Sequence, residues 1–135
     1  MRLVIDANIV IAAIIKDSKS RQIITSGKFE LFSPDFILEE VSKHKKYICK
    51  KSGLSQNDFD LLLTLIFQNV IIVPLEDYKN FINEAKEIIK EDIKDAPYVA
   101  CYLSLKCEGI WTSDPDFDNK SQLEIYDTNY LMKLL

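Results

Sequence analysis

Five short apolar runs punctuate the chain, and the stretches between them are too long and too helical in pattern to be hairpin turns. The runs are Leu3-Val4-Ile5, Phe29-Glu30-Leu31-Phe32, Val70-Ile71-Ile72-Val73, Ile110-Trp111-Thr112 and Leu123-Glu124-Ile125-Tyr126. Their brevity and their β-branched and aromatic residues read as buried strands. Helical spacing or helix-start chemistry fills the intervals: from about Asn8, from Ser18 to Gly27, from Pro34-Asp35 towards Lys50, and from Ser55 to about Phe67. It resumes from Glu76 to Lys90, where Phe81, Ala85, Ile88 and Ile89 recur on one face, from Asp95-Ala96-Pro97 to about Cys107, and from Asn129 to Leu135. Strands joined through helices pair in parallel, and such sheets are covered on both faces. The expected class is therefore α/β with a mainly parallel sheet.

A chain of 135 residues with 47% apolar content supports one core, so residues 1–135 are expected to form a single domain. No apolar run approaches the roughly 18 residues of a membrane span. The opening Met1-Arg2-Leu3-Val4-Ile5 meets Asp6 too soon for a signal peptide, so a cytoplasmic location with no membrane partner is expected. Cys49, Cys101 and Cys107 show no C-x-x-C spacing and His44 is the only histidine, which argues against a zinc site or disulfide framework. A net charge of −4 argues against broad attraction to nucleic acid and leaves room for a local basic patch.

The acids carry the functional signal. In open α/β sheets ligands bind beyond the carboxyl ends of the strands, and Asp6 and Asp114 each sit just past such an end. Asp95 is expected at a helix N-terminus, where unpaired N–H groups favour negative charge. Of the pair Glu39-Glu40, a helical wheel with Ile37, Val41 and Ile48 inward sends Glu39 away from the core and leaves Glu40 on the flank, within reach of a cleft.

Asp6 in "VIDANIV", Glu40 in "FILEEVSKH", Asp95 in "DIKDAPYVACYLSL" and Asp114 in "IWTSDPDF" occur in order over almost the whole chain. Together these segments resemble the PIN-domain family, including the prokaryotic PIN-like ribonucleases and VapC-type toxins. The resemblance implies a three-layer α/β/α fold with a central, mainly parallel sheet, an acidic pocket for Mg²⁺ or Mn²⁺, and hydrolysis of RNA phosphodiester bonds. It assigns Asp6, Glu40, Asp95 and Asp114 as catalytic and metal-binding acids. Asn8 and Thr112 match positions that support Asp6 and Asp114, while Asp116 and Asp118 match an extra acid that only some members carry.

The chemistry suits those residue types. Hard divalent cations prefer carboxylate oxygen, and acids held together repel one another until a cation neutralises them. The block "KHKKYICKK", residues 43–51, follows Glu40 on the same expected helix and offers Lys43, His44, Lys46 and Tyr47 to an RNA backbone or base. Tyr98, Tyr102 and Trp111 lie in apolar periodic segments and are expected in the core. Aspartyl-phosphate phosphotransferases and receiver-like modules also place Asp after a first strand, but they need further acids there, and the position two residues on is Asn8. The remaining alternative is a catalytically silent PIN-like module that binds RNA or protein. An active enzyme would be either a toxin with a small antitoxin partner or an RNA-processing nuclease, as a monomer or a homodimer.

Overall fold

The structure, a computed structural model, describes residues 1–16, 18–118 and 120–135. A five-stranded parallel sheet runs in the order β3-β2-β1-β4-β5, built from β1 (Arg2–Ile5), β2 (Glu30–Pro34), β3 (Val70–Val73), β4 (Gly109–Trp111) and β5 (Ile125–Tyr126). Leu3, Val4, Ile5, Ile110 and Trp111 are fully buried, as the apolar runs require of strands covered on both faces.

The order of the strands dictates where the helices go. From β1 the chain moves outward to β2 and then β3, through α1 (Ala7–Ile15), α2 (Lys19–Thr25), α3 (Phe36–Lys43), α4 (Lys45–Ser52) and α5 (Gln56–Phe67). It then returns past β1 to β4 through α6 (Leu75–Tyr78), α7 (Ile82–Ile89) and α8 (Ala96–Leu105). Right-handed crossovers travelling in opposite directions place their helices on opposite faces. The packing agrees, since α1 contacts α2 to α5 while α8 contacts α6 and α7. A last helix, α9 (Thr128–Lys133), packs on α2. Because the connections diverge between β1 and β4, the carboxyl ends of those two strands open a crevice at the topological switch point.

Three local expectations are corrected. The helix expected from Asp35 to Lys50 is two helices, broken at His44 (φ −99°, ψ 6°), whose N–H bonds back to Val41 O at 3.1 Å. The break lets α4 turn onto α1 and α5, where Lys45 pairs with Asp60 at 2.9 Å and lies over the Phe59 ring. The helix expected from Glu76 to Lys90 is interrupted by a 3-10 turn at Lys79–Phe81, which packs on α8. Finally, β2 runs from Glu30 to Pro34 rather than from Phe29 to Phe32, and Thr112 and Leu123 lie outside β4 and β5.

Gly109 shows why the β4–β5 edge closes. A Cβ there would meet the Tyr126 ring at 2.3 Å and Glu124 O at 3.1 Å, so only glycine lets that ring lie against the strand. Cys101 and Cys107 are buried free thiols pushed up in pKa by burial, in keeping with packing roles.

Candidate active site

Register brings the first two acids together. Ile5 pairs with Trp111, so Asp6 and Thr112 are the next residues at the carboxyl edge of adjacent strands. Thr112 Oγ1 donates a short hydrogen bond to Asp6 Oδ2 and accepts the Asp114 N–H at 3.0 Å. One hydroxyl thus positions both acids. Asp6 is also the N-cap of α1, with Oδ1 accepting the Ile9 N–H at 3.2 Å. Asn8 lines the crevice nearby, while the hydrogen bonds to Asp6 come from Ile9 and Thr112.

Asp6, Glu40, Asp95 and Asp114 all line one cleft of about 110 Å³, together with Ala7, Asn8, Ile11, His44, Lys94 and Tyr98. Glu40 reaches it from α3 and accepts a hydrogen bond from the Tyr98 hydroxyl at 3.3 Å. Glu39 is exposed and faces a separate groove with Phe36, Leu38 and Pro97. Asp95, Asp114 and Asp116 each offer a carboxylate oxygen, and these atoms lie within 4.8 Å of one another. Asp116 therefore joins the cluster through the 3-10 turn Pro115–Phe117, which Asp114 caps by accepting the Asp116 N–H at 2.9 Å. Asp118 is exposed and outside that group.

Asp95 holds the N-cap position of α8 expected of it, but its side chain does not cap the helix. It ends the 3-10 turn Ile93–Asp95 and is only 7% exposed. Its Oδ2 is buried with no hydrogen-bond partner. An orphaned carboxylate oxygen is costly unless something else satisfies it. The unbonded oxygen, with those of Asp114 and Asp116 close by, is a donor set that suits a hard divalent cation.

Electrostatics reinforce the point. Burial pushes the Asp6 carboxyl up to about 6, opposed by the Thr112 and Ile9 hydrogen bonds and aided by the negative charges of Asp114 and Asp95. Burial likewise raises Asp95 to about 6, with Asp114 next in effect and Lys94 opposing. Both folded-state values exceed the ordinary one, so protonation favours the native state. Their stabilising contribution is complete below about 4 and is lost as pH rises through about 6. The metal-free domain is therefore expected to melt higher at pH 5 than at pH 7.5. Circular dichroism melts in EDTA check this, and a melting temperature that climbs steadily across that interval would contradict it.

The basic block divides. His44 lines the cleft, Lys43 points at Glu40 across 4.0 Å, and Lys46 is exposed and absent from the cleft wall. Lys46 follows the break at His44 and so is not on the helix that carries Glu40, where the basic block is expected. Tyr98 and Trp111 are fully buried and Tyr102 is partly buried. The Tyr98 bond to Glu40 and the presence of Lys94 were not anticipated, although both residues flank Asp95 closely in sequence.

A parallel α/β sheet with carboxylates from two adjacent strand ends and two flanking helical segments defines a domain with an acidic switch-point cleft. A family model described as PIN domain matches residues 4–126, and the chain belongs to that family. PIN domains are generally nucleases that use divalent metals. A search of curated proteins finds no match. Among solved structures, the chain is similar to one in a toxin–antitoxin complex from Klebsiella pneumoniae, with a TM-score of 0.67 and 16% identity, covering 93% of this chain and 97% of that one. At that identity the likeness speaks to the fold. Among the described residues, no helix is long and apolar enough to cross a membrane.

Proposed function

We propose that this domain is an endoribonuclease that hydrolyses RNA phosphodiester bonds with Mg²⁺ or Mn²⁺. The observation that carries the reading is the buried, unpartnered Asp95 Oδ2 in a cleft that Asp6, Glu40 and Asp114 also line. Asp95 and Asp114 would hold the cation most directly, with Asp6, Glu40 and Asp116 completing or orienting the oxygen donors. A cation bound there would activate water and offset charge on the phosphoryl oxygens. The chain's own residues do the rest. Thr112 fixes Asp6 and Asp114, Tyr98 steadies Glu40, and His44 meets the RNA backbone at the cleft wall, with Lys43 and Lys46 contributing to its field.

Membership of the PIN family supports the nuclease reading over a silent binding module. Within that reading the chain acts either as a toxin held by a small antitoxin, the setting of the solved structure that shares its fold, or as a processing nuclease. The direct test incubates the purified chain with single-stranded RNA and Mg²⁺ or Mn²⁺, with EDTA and Asp6→Asn as controls. Internal cleavage is expected only with the cation and the intact acid. Cleavage that persists in both controls would point to a contaminant and sink the assignment.

A further inference from the structure

We propose that Lys94 is a substrate-positioning residue that grips an RNA phosphate at the mouth of the cleft; the inference rests on the ribonuclease reading above. Lys94 lines the same cleft as the four acids and is exposed. It comes from the turn ahead of α8, whereas His44 comes from the junction of α3 and α4, so the two side chains reach the cleft from separate parts of the fold.

The other lysines nearby are differently engaged. Lys43 lies 4.0 Å from Glu40 and Lys45 lies 2.9 Å from Asp60. Among the described residues, no carboxylate comes within 4.0 Å of the Lys94 ammonium. It nevertheless sits close enough for its charge to act on Asp95. Its base is well anchored, because the Asp95 N–H bonds to Asp92 O at 2.9 Å and the Ala96 N–H bonds to Ile93 O. A cation with a fixed base and an uncommitted head, beside acids that repel a polyanion, offers a phosphate a place to enter. An ammonium on a long stem suits that work as a point charge with three donors.

The experiment compares Lys94→Ala, Lys94→Arg and Lys28→Ala with wild type. Lys28 precedes β2 at the amino edge of the sheet, so its loss removes the same charge on the far side from the cleft. Binding of a short fluorescent single-stranded RNA in Ca²⁺ is followed across a salt titration, and cleavage is followed in Mn²⁺. Lys94→Ala is expected to weaken RNA binding about fivefold to tenfold and to flatten the slope of log affinity against log salt by about 0.7, the share of one single-strand phosphate contact. KM should rise by a similar factor while kcat stays within about twofold, as for lost uniform binding. Lys94→Arg should recover most of the affinity, and Mn²⁺ affinity of Lys94→Ala measured without RNA should not fall, since the lost charge repels the cation. A Lys94→Ala protein indistinguishable from Lys28→Ala overturns this inference alone. Loss of Mn²⁺ binding in Lys94→Ala also overturns it, since Lys94 would then act by shaping the acids. A wild-type protein that neither binds nor cleaves RNA overturns the ribonuclease reading beneath it.

Discussion

Asp114→Asn is expected to leave the metal-free domain as stable as wild type or more so, while Mn²⁺ affinity and RNA cleavage each fall by more than about a hundredfold. The carboxamide keeps the shape of the side chain and can still accept the Asp116 N–H, so the 3-10 turn loses nothing. What disappears is a negative charge that raises both Asp6 and Asp95. Removing it relieves repulsion at pH 7.5, and the gain should vanish towards pH 4, where these acids are protonated in either protein. Cation binding responds in the opposite direction, because a hard ion loses an anionic oxygen from its donors. Melts in EDTA, titration calorimetry with Mn²⁺ and cleavage assays on one preparation separate the two roles. A destabilised but fully active variant would mean that Asp114 merely caps a turn, a role worth about 1 kcal/mol.

Removing the Thr112 hydroxyl should do the reverse to stability. Thr112→Val keeps the side chain's outline but leaves Asp6 Oδ2 without its donor and the Asp114 N–H without its acceptor. An unsatisfied buried group costs about 1–3 kcal/mol, and the loss is greater for a charged one. Without the hydroxyl, the Asp6 carboxyl rises further above its present value of about 6. The stability deficit should accordingly be larger at pH 7.5, where Asp6 must ionise, than at pH 5. Cleavage should drop by about 10- to 100-fold, the usual scale for losing a group that orients a metal ligand. Thr112→Ser should restore both. Equal stability deficits at the two pH values would show that the Thr112 hydroxyl serves the Asp114 N–H and not the Asp6 carboxylate.

Where the local pattern alone decides geometry, the sequence is a reliable guide. Glu39 and Glu40 lie on the same uninterrupted helix as Ile37 and Val41, so the wheel separates the exposed glutamate from the one that enters the cleft. Past His44 the single helix expected towards Lys50 fails, and Lys46 falls on a separate helix. Nothing in "KHKKY" marks a helix boundary, and the break is stabilised by α4 packing on elements remote in sequence. Asp95 is a partial case: it takes the N-cap position that an acid before Ala96-Pro97 suggests, but its side chain makes no capping bond. The preceding 3-10 turn instead sets its side chain towards the other acids.

The sequence by itself determined the alternation of strands and helices, the parallel sheet, and which acids fall at element ends, since these follow from short-range periodicity and termination chemistry. It also determined family membership, since the PIN-domain model matches residues 4–126. Only the tertiary structure decided that β1 and β4 are neighbours, which places Thr112 against Asp6 across 106 positions of chain. It also decided that Asp95 Oδ2 is left unbonded, that Asp116 joins the cluster and Asp118 does not, and that Lys94 replaces Lys46 at the cleft wall. The physical reason is common to all of these: a side chain's charge and shape belong to its residue, but its burial and its partners depend on which distant segments the sheet order brings beside it.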